Sequence, residues 1–154
     1  MQTINLAIKN LETARQKSLH VFNAIPHELI HWKMDAESMS LIETVRHLLD
    51  CDKWNMKNIQ DRKNDHLDYD ELFGNRPYIS IKNEIEMNQK AHADFIEYLK
   101  TFSDEALEKT LLKRSSGMKN LDTFLLEIAY HEAYHTAQIQ VYLRILNTPR
   151  AIIW

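Results

Sequence analysis

The feature that most constrains the fold is a set of four segments in which apolar residues recur every three or four positions, the period of one helix face. The clearest covers residues 80–102, where steps of four and three alternate, as in packed helices. Its stripe consists of Ile81, Ile85, Asn88, His92, Phe95, Leu99 and Phe102. The chain of 154 residues holds only two glycines and three prolines, too few for the many turns of a β-fold. The sequence therefore predicts an all-α protein.

Three further segments show the same period, at residues 3–24, 40–62 and 121–146. Ser40 and Glu43 have the spacing of a capping box, in which each side chain bonds the backbone N–H of the other residue. Four amphipathic helices joined by loops indicate a four-helix bundle. The length is that of one domain, which we expect to cover residues 1–154.

The connecting segments are read as loops. We expect one helical turn at His27, a short capped turn after Ser103, and a tight turn at Ser115-Ser116-Gly117. No run alternates between apolar and polar residues over the length of a strand, so no sheet is predicted. The apolar C-terminal residues 151–154 are expected to fold back onto the bundle or to contact a partner.

Charge and cysteine content exclude several classes of function. The formal net charge is −3 with both signs interspersed, so no basic surface indicates a nucleic-acid or membrane partner. The single Cys51 cannot form an internal disulfide, which is typical of a reducing cytosol. No apolar run has the length of a membrane span or the form of a signal peptide. We expect a cytoplasmic protein.

Two histidines, His131 and His135, lie four residues apart in the last predicted helix. Side chains at that spacing lie on one face, one turn apart, and can share a metal ion. With Glu132 they also match the HExxH pattern of zinc proteases, in which the glutamate is the general base. A second match, from His27 to His31, follows a proline in a connector without the long helix that the pattern requires.

A catalytic metal site needs a third protein ligand and leaves further positions open for water or substrate. The sequence offers His47 in the second predicted helix and His92 in the third. A lone histidine on an apolar stripe, such as His92, is more often a core residue with a satisfied ring. The carboxylate alternatives are Glu43, Asp50 and Glu132.

Two motifs resemble the signatures of a known family. SLIETVRHL at residues 40–48, after Trp32 and Lys33, is similar to the second-helix signature of the DinB-like superfamily. HEAYHTAQI at residues 131–139 is similar to its fourth-helix signature, although Thr136 stands where a basic residue is common. The motifs, their separation and the helix order cover nearly the whole chain.

The resemblance implies an up-down-down-up bundle in which His47, His131 and His135 bind a divalent transition metal such as zinc, nickel or iron. Characterised relatives include bacillithiol and mycothiol S-transferases and a mycothiol-dependent maleylpyruvate isomerase. They imply a metal that activates a small-molecule thiol or water toward an electrophilic substrate. An apolar cleft for that substrate is expected beside aromatic residues of the second and fourth helices, Trp54, Tyr134 or Tyr142.

Two rival functions remain open from the sequence. One is a zinc protease with Glu132 as base, although that class lays its substrate along a sheet edge and no sheet is predicted. The other is a non-enzymatic, metal-stabilised interaction or stress-response module, in which Glu43 or Glu132 completes the coordination of the metal. Whatever the function, a homodimer is expected, because the apolar tail and the bundle faces offer self-complementary surface and two-fold dimers are the commonest oligomer.

Overall fold

The computed structural model describes residues 3–63, 68–149 and 151–152, and four long helices dominate this part of the chain. They are α1 (Thr3–Asn23), α2 (Leu41–Asp61), α4 (Ile81–Leu99) and α6 (Leu121–Ile145), with the short helices α3 (Tyr69–Phe73) and α5 (Asp104–Lys109) between them. The four predicted helices and the all-α bundle are confirmed. The predicted turn at His27 is a 3₁₀ helix, His27–Leu29.

Polar side chains cap the start of α2, as the sequence predicts, and the start of α4. The Ser40 hydroxyl accepts a hydrogen bond from the Glu43 backbone N–H at 3.3 Å, and the Glu43 carboxylate accepts one from the Ser40 N–H at 2.6 Å. Ser80 caps α4 through its hydroxyl alone, which accepts from the Asn83 backbone N–H at 3.1 Å. Arg62, with φ 59°, ends α2 in a left-handed conformation. The helix ends agree with the predicted ones to within one to three residues.

Two layers of the core establish the helix directions. The first layer joins the start of α1 and α6 to the end of α2 and α4, through Ile4, Leu125, Ile59 and Leu99 among others. The second joins the end of α1 and α6 to the start of α2 and α4, through residues that include Phe22, Leu143, Val45 and Ile81. Hence α1 and α6 run in one direction and α2 and α4 in the other, which confirms the up-down-down-up order.

A buried ionic cluster separates the two layers, and we call Arg15, Asp52, His92 and Glu132 the central cluster. Arg15 donates from Nε to Glu132 and from Nη1 to Asp52, both at 2.7 Å. His92 Nδ1 lies 2.9 Å from the same Asp52 carboxylate. Burial alone would lower the pKa of Arg15, but the two carboxylates outweigh it and hold that pKa above its ordinary value. The cluster links all four long helices at mid-height.

The expectation that the connectors contain no sheet is wrong, because residues 111–120 form a β-hairpin. Strand β1 (Leu111–Arg114) pairs antiparallel with β2 (Gly117–Asn120), and Ser115 and Ser116 make the turn. Each strand has only four residues, too short for alternation to be recognised. Leu112 is fully buried in the first layer, and Lys113 N–H donates to the Arg62 carbonyl at 2.8 Å. The hairpin therefore closes the bundle beside the end of α2.

The C-terminal segment returns to the bundle at Ala151, which packs on the second layer and accepts a hydrogen bond from Gln140. Ile152 is exposed, and residues 153–154 of the predicted apolar tail lie outside the described part. None of the helices within the described ranges is both long and apolar enough to cross a membrane. The single domain and the homodimer stay predictions.

Candidate metal centre

Three histidines from two helices converge at one edge of the bundle. His47 on α2 meets His131 and His135 on α6, and each offers a ring nitrogen within 4.8 Å of the other two. The Nε2 atoms of His47 and His131 are 3.1 Å apart. All three side chains are half-buried. Over residues 3–63, 68–149 and 151–152, this is the single group of three or more such side chains close enough to share a metal ion.

A chain of hydrogen bonds through Gln138 fixes the orientation of the His135 ring. Its Nδ1 donates to the Gln138 side-chain oxygen at 2.9 Å, and Gln138 donates through Nε2 to the Tyr142 hydroxyl at 2.8 Å. Tyr142 is in turn buried edge-on against Trp32, with ring centroids 5.3 Å apart. A proton on Nδ1 leaves the Nε2 lone pair of His135 free, the arrangement found behind metal-bound histidines.

The surroundings keep two of the imidazoles neutral. Burial, assisted by the neighbouring His47 and His135, lowers the pKa of His131 to about 4. Burial and His135 also lower the pKa of His47, against a smaller opposing effect of Asp50. Neutral imidazole is the form that binds metal, so no proton has to be displaced from these two rings at neutral pH.

Glu132 and His92, two of the alternative ligands, belong to the central cluster and face the core. Glu132 lies between His131 and His135 in the sequence, but its carboxylate bonds Arg15 inside the bundle. A general base has to reach the reacting atoms, so this position does not suit the role of Glu132 in a zinc protease. His92 is held by Asp52, in line with its interpretation as a satisfied core residue.

The remaining carboxylates are also engaged away from the triad. Glu43 bonds Ser40 in the capping box and pairs with Lys33 at 3.3 Å. Asp50 accepts from the Tyr69 hydroxyl and from Arg76. In the second HExxH match, both histidines at positions 27 and 31 are exposed and join no cluster of the described residues.

A cavity of about 460 Å³ opens beside the triad, between α2 and α6. Its walls are formed by His47, Asp50, Cys51, Trp54, Asn55, Tyr69, Phe73, Arg114, Phe124, Glu127, Ile128 and His131. The prediction that Trp54 lines the cleft agrees with this geometry. The other two aromatics do not line it: Tyr142 is buried behind Gln138, and Tyr134 is exposed against the outer edge of His135.

Several lining residues were not anticipated from the sequence. Phe124 and Ile128 lie seven and three residues before His131, on the same helix face, so helical spacing could have found them. Tyr69 and Phe73 come from α3, and Arg114 comes from the hairpin. No periodic signal marks these three positions, because each depends on how a connector folds over the bundle.

Comparisons with known proteins agree with the fold. A family model described as the DinB superfamily matches residues 10–139. The DinB-like protein YjoA of Bacillus subtilis aligns with a TM-score of 0.72 and 16% identity, over 96% of this chain and 95% of its own. YfiT of Bacillus subtilis, described as a probable metal-dependent hydrolase with an unusual four-helix bundle topology, aligns with a TM-score of 0.76 and 14% identity, over 95% and 89%. No curated protein matches the sequence.

Proposed function

Because this chain belongs to the DinB superfamily, we propose that His47, His131 and His135 bind one divalent transition metal, and that the protein is a metal-dependent hydrolase or thiol transferase. The observation that carries the proposal is the convergence of three ring nitrogens at the edge of a cavity. The description of YfiT as a probable metal-dependent hydrolase supports the same chemistry.

The donor set fits such an ion. Nitrogens bound to one tetrahedral metal at 2.0–2.1 Å are about 3.3 Å apart, and the His47–His131 separation is 3.1 Å. The third ring is oriented by Gln138. Imidazole ligands accept zinc, nickel and iron alike, so the residues do not select among these metals.

A bound divalent cation would supply Lewis-acid chemistry, lowering the pKa of a coordinated water or thiol enough to make it a nucleophile at neutral pH. The protein's own contribution is a half-buried site and an adjoining cavity with aromatic walls formed by Trp54, Phe73 and Phe124. Such walls exclude water and accept an apolar electrophile. The co-substrate of a transferase would be a small-molecule thiol.

Three protein ligands favour catalysis over a purely structural metal. The non-enzymatic alternative requires a carboxylate such as Glu43 or Glu132 to complete the coordination. Glu43 is held in the capping box and Glu132 in the central cluster. With both carboxylates engaged elsewhere, the remaining coordination positions are left to water or substrate.

The proposal is tested by metal content. Protein purified without a histidine tag should carry one transition-metal ion per chain by elemental analysis. His47→Ala and His131→Ala should each lose most of it, since removal of one of three ligands leaves an incomplete site. The matched control is His31→Ala, which removes an exposed histidine of the other HExxH match and should retain full occupancy.

Wild-type protein without stoichiometric metal, or a His47→Ala variant that keeps it, would contradict the proposal. Catalysis is then tested on metal-loaded protein, with ester substrates for hydrolysis and low-molecular-weight thiols plus an alkylating acceptor for transfer. Turnover that His131→Ala abolishes and His31→Ala preserves would support an enzyme. Its absence from both screens would favour the structural alternative.

A further inference from the structure

Arg114 places a positive charge on the cavity wall, in the β-hairpin that closes the bundle. Its guanidinium carbon lies 4.6 Å from the centre of the Phe124 ring. Asn58, in the amide orientation that also accepts from Trp54 Nε1, accepts one hydrogen bond from Arg114 Nη1 at 3.2 Å. The cation is therefore held in place by a ring and one amide.

Arg114 is half-buried and differs from the buried Arg15 and Arg46, which are paired with carboxylates. Arg15 is bonded to Asp52 and Glu132, and Arg46 to Glu84. Arg114 forms no such ion pair with the residues that the structure describes. Partial burial lowers the pKa of Arg114, and only the more distant charge of Glu127 opposes this effect.

The carboxylate of Glu127 forms its ion pair with Lys119 and not with Arg114. The other acidic wall residue, Asp50, is neutralised by Arg76. An incoming anion would thus meet two acidic groups that each have a cation, and one cation without a carboxylate. The charge balance of the cavity favours a negatively charged ligand over a positively charged one.

The separation between Arg114 and the triad determines the length of that ligand. Arg114 lies over Phe124, and His131 follows seven residues later on the same helix. At 1.5 Å of rise per residue, Phe124 and His131 are about 10 Å apart along α6. The same cavity is lined by apolar and aromatic groups of Trp54, Phe73, Phe124 and Ile128.

We propose that this cavity binds an elongated apolar monocarboxylate, of the arylalkanoic acid type, with its carboxylate on Arg114 and its other end at the histidine triad. A carboxylate on a partly desolvated guanidinium forms charge-assisted hydrogen bonds, which are stronger than neutral ones. The aromatic walls would bury the hydrocarbon body. The inference rests on the proposed function, because it assigns the substrate class of that site.

The first test compares 4-phenylbutyrate with the matched neutral 4-phenylbutan-1-ol by titration calorimetry. The acid should bind wild-type protein at least about tenfold more tightly than the alcohol. Arg114→Gln should remove this preference while leaving binding of the alcohol nearly unchanged. Lys113→Gln, which removes a neighbouring exposed charge of the same hairpin, should retain it.

Equal affinities of acid and alcohol for wild-type protein would overturn the inference, as would a preference that survives in Arg114→Gln. So would a wild-type affinity for the acid weaker than millimolar. The wild-type comparison needs no variant, so the inference stays falsifiable if Arg114→Gln fails to fold.

The titrations are run on protein as purified and after removal of metal with a chelator, because a carboxylate could also bind the metal itself. If metal-free protein prefers the acid and this preference requires Arg114, the result supports the inference without bearing on the metal site. Elemental analysis of Arg114→Gln should give wild-type metal content. If the protein prefers the acid but binds no metal, only the proposed function is contradicted. If it binds metal but shows no preference for the acid, only the inference is contradicted.

Discussion

Replacing Arg15 by methionine should destabilise this protein more than any change at an exposed ion pair. Arg15 makes two ion pairs at 2.7 Å with Glu132 and Asp52, and all three side chains are at most 7% exposed. Methionine fills much of the volume but leaves both carboxylates buried. Asp52 keeps His92 at 2.9 Å, whereas Glu132 loses the ion-pair partner that the structure shows for it.

Breaking a buried ion pair by removing one partner costs about 3–5 kcal/mol of unfolding free energy, because an uncompensated charge remains in the core. In a domain of this size, 1 kcal/mol corresponds to about 2–4 °C in melting temperature. Arg15→Met should therefore melt roughly 6–20 °C below wild type. Combining it with Glu132→Leu, which removes one of the stranded charges, should recover part of the loss.

Urea unfolding followed by circular dichroism measures the free energy, and a thermal scan measures the midpoint, both on metal-free protein. The control is Lys90→Met, which breaks an i,i+4 pair whose side chains are 83% and 48% exposed and should cost about 0.5 kcal/mol or less. A loss below about 1 kcal/mol for Arg15→Met would refute the reasoning, since it would mean that water reaches the stranded carboxylates.

Two further predictions concern the hairpin and the lone thiol. Gly117→Ala should cost about 1–2 kcal/mol in urea unfolding, because φ at Gly117 is +113°; Ser116→Ala beside it should be nearly neutral, and an equally neutral Gly117→Ala would contradict the assigned strain. Burial raises the pKa of Cys51 from 9.0 to about 12, so iodoacetamide at pH 8 should alkylate the folded protein at least about a hundredfold more slowly than the urea-unfolded one. Between these two pKa values the folded state retains the thiol proton and the unfolded state loses it. The free energy of unfolding that Cys51 contributes is therefore fully present below pH 9 and falls as the pH rises toward 12. Rapid alkylation of the folded protein would contradict this prediction, because it would show that Cys51 is accessible as a thiolate.

The long helices could be predicted because each signal for them is local. Ser40 and Glu43 form the capping box that their spacing predicts, and a period of 3.6 residues needs no knowledge of the partner helix. The pairing of His131 with His135 is local in the same sense. Their convergence with His47, 84 residues away, needed the resemblance to a family, because no helical period relates two different helices.

The cavity depends on contacts that no local pattern encodes. The hairpin has one fully buried residue, Leu112, among its eight strand positions. Its place is determined by the backbone bond from Lys113 to Arg62 and by the packing of Leu112. Those tertiary contacts bring Arg114 to the cavity wall. The sequence shows an unremarkable polar connector at this point.

Helix α6 carries the proposed metal ligands next to residues that bond the neighbouring helices. In the HExxH pattern of zinc proteases, the histidines and the glutamate serve one site, whereas here they serve two. Successive residues of a helix are about 100° apart, so His131 and His135 lie on the face that meets His47, while the buried Glu132 and Thr136 face the core. Thr136 is buried, with its hydroxyl 2.8 Å from that of Ser18 on α1. Thr136 therefore belongs to the packing of α6 on α1 and not to the cavity wall.

The central cluster connects the two helices that carry the triad. Arg15 bonds Glu132 on α6, next to His131, and Asp52 on α2, five residues after His47. Hydrogen bonds to a planar guanidinium are directional, whereas apolar contacts tolerate rotation and sliding. Arg15 thereby fixes the relative height and rotation of the two ligand-bearing helices. The buried charges, costly for stability by themselves, give the three histidines a defined geometry.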